Sequence, residues 1–304
     1  MIAIEWKMIR PLAAYLVVVC LSACTHSSVS QLAATEADNP ALVRDLSGKI
    51  LFVSMRNDQS AIFCMNADGS NPVPLIAGAV RDDNPAPLPD GAILFDSYRD
   101  GRRAIYLADG GTIRKLTNGG ASDLYPAWSP DGKHIIFTSY RDGHDELYRM
   151  NRDGSALKRL TNGAGSEKST WSPDGRYIAF VSEREGSEQI YAMNADGSEV
   201  KRLTQPDSQN IFPVWSPDGT QIAFTSDRDG NYEIYTMQAD GSNVTRLTNN
   251  PADDLQPSWS PDGRYIAFVS NRDLTYQIYV VTSDGRQMAK ITHGGDNTTP
   301  VWTK

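Results

Sequence analysis

Five tryptophans at near-constant spacing constrain this chain more than anything else in it. Trp128, Trp171, Trp215, Trp259 and Trp302 lie 43, 44, 44 and 43 residues apart, and the first four each open the string Trp-Ser-Pro-Asp-Gly. Asp-Gly recurs in phase at Asp90-Gly91, with Ser47-Gly48 as a degenerate first copy. A period of this size with four short strands per unit is the pattern of a β-propeller. Helical repeats of similar length are excluded, because Gly and Asp-Gly turns break every segment before ten residues of helix could form. The 24 glycines and 17 prolines fit the same all-β, turn-rich reading.

One unit shows the strands. Pro213 to Ser216 is a short first strand, and Pro217-Asp218-Gly219 is its turn. Ile222 to Ser226 is apolar on both faces, as a strand sandwiched between neighbouring sheets should be. Glu233 to Met237 forms the third strand, and Val244 to Thr248, the most polar, forms the outer edge. Residues 46–304 hold six such blades. The first lacks a Trp-bearing strand, and the chain ends on Thr299-Pro300-Val301-Trp302, a first strand with no blade of its own. The expectation is an all-β, six-bladed propeller of four-stranded blades, closed by the C-terminal strand completing the first blade.

The unit P-x-W-S-P-D-G-x-x-I-A-F-x-S-x-R-D-G…I-Y-x-M-N-A-D-G-S…R-L-T resembles the WD-like propeller repeat of the TolB family. That resemblance implies a propeller fold and a place in the periplasmic Tol-Pal envelope system. Family members carry an additional α/β domain before the propeller, where this chain has about 20 linker residues.

Residues 1–23 read as a signal peptide: Lys7 and Arg10 precede the apolar run Leu12 to Leu21, which is too short to span a bilayer. Leu21-Ser22-Ala23-Cys24 resembles a bacterial lipobox, which implies cleavage before Cys24 and lipidation of its thiol. Thr25 follows instead of Asp, which in that pattern favours the outer membrane. Residues 24–45, polar and Ser/Thr-rich, read as the lipidated cysteine and a flexible tether.

Strand alternation sorts the loops onto two faces. The tight Ser-Pro-Asp-Gly and Ala-Asp-Gly-Ser turns share the lower one. The Ser-x-Arg-Asp loops and the variable connections between blades share the upper one, where binding is expected. Two residue sets stand out there. Arg56, Arg99, Arg141, Arg184, Arg228 and Arg272 recur in every blade, which suits a structural pairing better than a unique ligand. Asp82, Asp123, Asn210, Asp254 and Asn297 stand five residues before the Trp positions, with Glu167 near the equivalent place. They differ between blades, so they are the candidate channel-mouth site for a partner or a cation. Tyr125, Lys168, Phe212 and Gln256 would add a mixed lining.

The formal net charge is −8, which argues against a nucleic-acid partner. Only four histidines are present, none at metal-pair spacing, and no G-x-S-x-G elbow occurs. Cys64 replaces Ala192 and Thr236 of other copies, as a packed thiol would. The leading expectation is therefore a non-catalytic envelope scaffold, lipid-anchored at the outer membrane. Its upper face would engage a protein or peptidoglycan-associated partner. No cofactor is expected, a divalent cation at the channel mouth being the one alternative. The runner-up is a cell-surface carbohydrate-active enzyme, a lyase or glycosidase, with its site at that mouth.

Overall fold

The computed structural model describes residues 39–303 apart from 57–58, 79–80, 119 and 164. The signal peptide and Cys24 lie outside the described residues. The rest forms six four-stranded antiparallel sheets. Blade 1 joins the C-terminal strand Asp296–Thr303 to Lys49–Arg56, Gln59–Asn66 and Val73–Ile76. Blades 2 to 6 follow in chain order, with first strands Asp82–Pro87, Asp123–Trp128, Ser166–Trp171, Asn210–Trp215 and Asp254–Trp259. Consecutive first strands touch all the way round, the last against blade 1 and blade 1 against blade 2, so they line a central channel. The closure expected from the repeat is present.

The sequence explains the packing. Second strands such as Tyr265–Ser270 are buried along their whole length, because each is covered on both faces by neighbouring blades. Phe95, Phe137, Phe180, Phe224 and Phe268 are fully buried at equivalent positions. The hydrophobic clusters cross blade boundaries: Ala223 and Ile234 of blade 5 pack with Trp259, Phe268 and Tyr279 of blade 6. A backbone bond staples five of the seams, as from Asn210 N–H to the Glu188 carbonyl at 2.9 Å. In the Ser-Pro-Asp-Gly turns the Ser129 hydroxyl donates to Asp131 at 2.6 Å and accepts from the His134 amide at 2.9 Å.

Two departures from the sequence reading have local causes. The tether gives way at Pro40 to a short helix, Pro40–Asp45, whose Asn39 cap accepts from the Leu42 amide. Leu42 is buried against Ala289, Ile291 and Trp302, and that burial fixes an otherwise polar segment. First strands also begin about three residues earlier than a Trp-proximal proline such as Pro213 or Pro257 suggests, because a bulge lets pairing continue past it.

The upper loop of blade 6 departs from its siblings. Leu274 takes φ +67° and is 98% exposed, where Gly101, Gly143, Gly186 and Gly230 stand in four other blades. A left-handed leucine costs about 1–2 kcal/mol, and glycine returns up to about 1 kcal/mol of that in backbone entropy. Leu274→Gly is therefore expected to raise stability by roughly 0.5–1 kcal/mol. Urea unfolding checks this, and an unchanged or lower midpoint would count against it.

Candidate functional site

The two residue sets singled out on the upper face meet in the structure. Arg99 reaches Asp82 at 2.8 Å, Arg141 reaches Asp123 at 3.1 Å, Arg228 donates to Asn210 at 2.8 Å and Arg272 reaches Asp254 at 2.9 Å. Each arginine folds back across its own sheet onto the opening residue of its own first strand. Its Nε donates to the last serine of the second strand, as Arg141 does to Ser139 at 2.8 Å. Its guanidinium lies over the third-strand tyrosine, 4.5 Å from the Tyr148 ring in blade 3. That tyrosine donates to the loop acid, and an outer-strand cation meets the same acid: Tyr106 to Asp100 at 2.6 Å, Lys115 to Asp100 at 3.2 Å. Asp82, Asp123, Asn210 and Asp254 are at most 1% exposed. The structure thus holds them behind the mouth as the inner ends of repeated polar networks.

Blades 4 and 1 vary the scheme. Ser166 occupies the buried opening position of blade 4, its hydroxyl 3.3 Å from that of Ser182, and Glu167 is one residue farther on. Asn297 in blade 1 donates to Gln277 at 3.1 Å. His144 of the upper face sits 2.7 Å from Glu146, a buried carboxylate that also accepts from Thr161 and the Gly163 amide. Although burial opposes it, those donors and Arg159 hold Glu146 below its ordinary pKa. Cys64 is partly buried, which raises its thiol. Among the described residues, no group of three or more His, Cys, Asp or Glu is placed to hold a metal ion.

The channel wall itself is made by the bulges. Asn84, Tyr125, Lys168, Phe212, Gln256 and Thr299, each three residues before the Trp position, all have φ between 47° and 55°. Holding six non-glycine residues in the left-handed region is costly, and the ladder on either side enforces it. Four of these are the residues read from sequence as a mixed lining. The wall is asymmetric. On blade 2, Arg103 binds Asp83 at 2.6 Å and Asp96 at 2.5 Å, and Asp96 also accepts from Asn84 at 2.8 Å. Burial pushes Asp96 up to about 6 even with Arg103 beside it. On blade 4, Lys168 contacts Glu167, lies 3.5 Å from Glu188 and stands 4.9 Å from the Phe212 ring. Burial pulls its ammonium down, but Glu167, Tyr125 and Glu188 outweigh this and the net shift is upward. Across the channel Gln256 accepts from the Thr299 amide at 3.0 Å, and neither carries charge.

Acids gather round Lys168. Asp145, immediately before the third strand of blade 3, is pushed up to about 6 by burial and then by Glu167. Glu188, at the same place in blade 4, is raised by burial and by Glu167 and Glu183, against the pull of Lys168. Tyr232 follows in blade 5, raised to about 12 by burial, Asp227 and Glu188. Arg103, Asp145, Glu188 and Tyr232 were not found by sequence reasoning. The available signal was that the residue immediately before the third strand changes charge from blade to blade, from Arg103 through Asp145 and Glu188 to Tyr232.

A family model described as the TolB beta propeller domain matches residues 121–214 and 204–304. A TolB homolog of Chlorobaculum tepidum is 35% identical over 129 residues, covering 40% of this chain and 30% of that protein. A Tol-Pal system protein TolB of Syntrophus aciditrophicus is 38% identical over 54 residues, 18% of this chain and 12% of that one. The chain thus matches less than a third of the length of either relative. The crystal structure of TolB from Acinetobacter baumannii superposes with a TM-score of 0.76 at 31% identity, covering 85% of this chain and 67% of that one. With more than half of its residues matched by the family model, the chain belongs to the TolB β-propeller family.

Proposed function

We propose that this chain is a non-catalytic, Tol-Pal-type scaffold of the bacterial cell envelope. Its upper channel mouth engages a cationic segment of an envelope protein or peptidoglycan-associated partner. Cys24 carries the lipid that holds it at the outer membrane. The observation that carries the reading is the one-sided acid sector: Asp145, Glu167, Glu183 and Glu188 crowd a single ammonium, Lys168. Acids that outnumber their cations favour an incoming positive charge, and the partial burial of Asp145, Glu167 and Glu188 strengthens that attraction. The kinship with TolB supports an envelope protein as the source of that charge.

Glu183→Gln with Glu188→Gln removes two charges and leaves the ring intact. Crosslinking in intact cells followed by identification of the captured protein is expected to lose its main adduct at least about tenfold, the change that ~1.4 kcal/mol produces. Retention of that adduct in the variant argues against the acid sector.

The pH dependence has a definite sign. Asp145 ionises in the folded chain near 6 instead of near 3.8. As pH falls from 7 to 5 it takes up a proton, the mouth loses negative charge, and partner binding weakens. The same group makes the opposite contribution to stability. The folded state holds that proton more tightly than the unfolded one, so this carboxyl adds stability as pH drops from about 6 toward 4. Binding that falls with pH while the Asp145→Asn variant stays flat is the expected pattern. Parallel loss in both would assign the pH effect elsewhere.

A further inference from the structure

Blade 1 departs from the other five at its outer edge, and the departures are coordinated. Elsewhere the third-strand tyrosine pairs with an outer-strand cation: Tyr106 with Lys115, Tyr148 with Arg159, Tyr191 with Arg202, Tyr235 with Arg246 and Tyr279 with Lys290. In blade 1 that pair is Phe63 with Pro74, and Asn57 stands in the sequence where the loop acid belongs. All three polar members of the network are replaced together. The ring stacking survives, with Phe52 and Phe63 centroids 5.7 Å apart, so the blade is folded like its siblings and only its outward chemistry has changed.

What replaces the network is apolar and outward. Residues 72–80, Pro-Val-Pro-Leu-Ile-Ala-Gly-Ala-Val, contain no polar side chain. Val73 is 53% and Leu75 47% exposed, and a register shift between Ile62 and Phe63 in the pairing of this edge adds a residue to it. The other blades expose single apolar residues here, such as Ile113, Val200 and Val244, each within two residues of a Lys or Arg.

We propose that this edge, Pro72 to Ala77, is a membrane-contact surface that rests at the boundary between lipid headgroups and acyl chains. Three observations select lipid over a protein strand or a second copy. Pro72 and Pro74 have no N–H, so the edge offers few donors to an added strand and leaves few unsatisfied ones in an apolar medium. Residues 46–81 carry Lys49, Arg56 and Arg81 against Asp58 and Asp68, whereas residues 207–250 carry six acids and two bases, so blade 1 is the part least repelled by anionic lipid. The chain also enters the fold beside this edge: the helix Pro40–Asp45 lies against the outer strand Met288–Lys290 of blade 6, and Gly69 of blade 1 abuts the adjoining Ile291 backbone. Residues 25–38 fully extended reach at most about 50 Å, which lets the edge touch a bilayer holding Cys24. The proposal rests on the lipid-anchor reading only for how the domain reaches the membrane.

The test uses the chain as extracted from membranes, reconstituted in vesicles of three parts phosphatidylethanolamine to one part phosphatidylglycerol. Amide hydrogen exchange is followed before and after a protease cut within residues 25–38. Exchange at Val73, Leu75 and Ala77 is expected to speed up about tenfold on release. The Val73→Asp/Leu75→Asp variant should show no difference between tethered and released forms. Equal wild-type rates in both states overturn the proposal, as does protection on another blade's edge. Protection that survives release and grows with protein concentration overturns it in favour of a second copy. Flotation with the vesicles reports the anchor separately, so loss of anchoring and loss of edge contact are told apart.

Discussion

Removing residues 300–304 is expected to abolish the cooperative melting transition of the propeller. The strand Asp296–Thr303 is the inner strand of blade 1, pairing Trp302 with Ile50 and Val301 with Leu51. The Trp302 indole donates to the Ser47 carbonyl at 2.9 Å, its amide donates to Ser258 of blade 6 at 2.9 Å, and its ring stacks on Tyr265 at 6.2 Å. One residue thus ties the first blade to the last. Truncating a buried tryptophan side chain alone costs about 3–5 kcal/mol, against a total stability of about 5–15 kcal/mol for an ordinary domain. The deletion also strips Lys49, Ile50 and Leu51 of their partners, leaving half of that strand's inner edge open. Thermal unfolding followed by tryptophan fluorescence decides the matter. A truncated chain that melts cooperatively within a few degrees of the full one would refute the closure.

The second large effect is at Asp254, and blade 5 supplies its control. Asp254 is fully buried and meets Arg272 at 2.9 Å. Burial raises it to about 6 while Arg272 opposes the shift, and the geometry is that of an ion pair. Asp254→Ala strands the Arg272 guanidinium over its aromatic rings, and breaking a buried pair in this way costs about 3–5 kcal/mol. Asp254→Asn should cost no more than about 1 kcal/mol, because the amide keeps an acceptor for the arginine. Blade 5 already runs the same network with Asn210 accepting from Arg228 at 2.8 Å. Denaturant midpoints for the two variants check this. Equal losses would show that charge, and not hydrogen bonding, holds the upper loops.

The architecture was legible because it is written in repeated, local chemistry. A Trp-Ser-Pro-Asp-Gly string names a strand end and its turn, and four copies with two partial ones in phase and one strand misplaced at the C-terminus leave only the closed ring. The pairing of Arg272 with Asp254 was less legible: the two stand 18 residues apart, and only the register of the first and second strands brings them together. Each had been noted, but as members of separate rings. The bulges were hidden for a different reason. Tyr125, Lys168 and Gln256 share no side-chain chemistry, and none favours a positive φ, so their conformation is imposed by the sheet and leaves no mark in the local sequence. The acid sector arises the same way, from residues of blades 3 and 4 that converge only once the ring is closed.

A photoreactive side chain placed by turns at four positions in intact cells tests the functional account most directly. Glu183 and Asp227 stand on the upper rim, and Asp131 and Asp196 in the lower turns. The account predicts adducts with one and the same envelope protein from the two upper positions and none from the lower pair. Adducts from the lower turns, or equal yields from both faces, would contradict it.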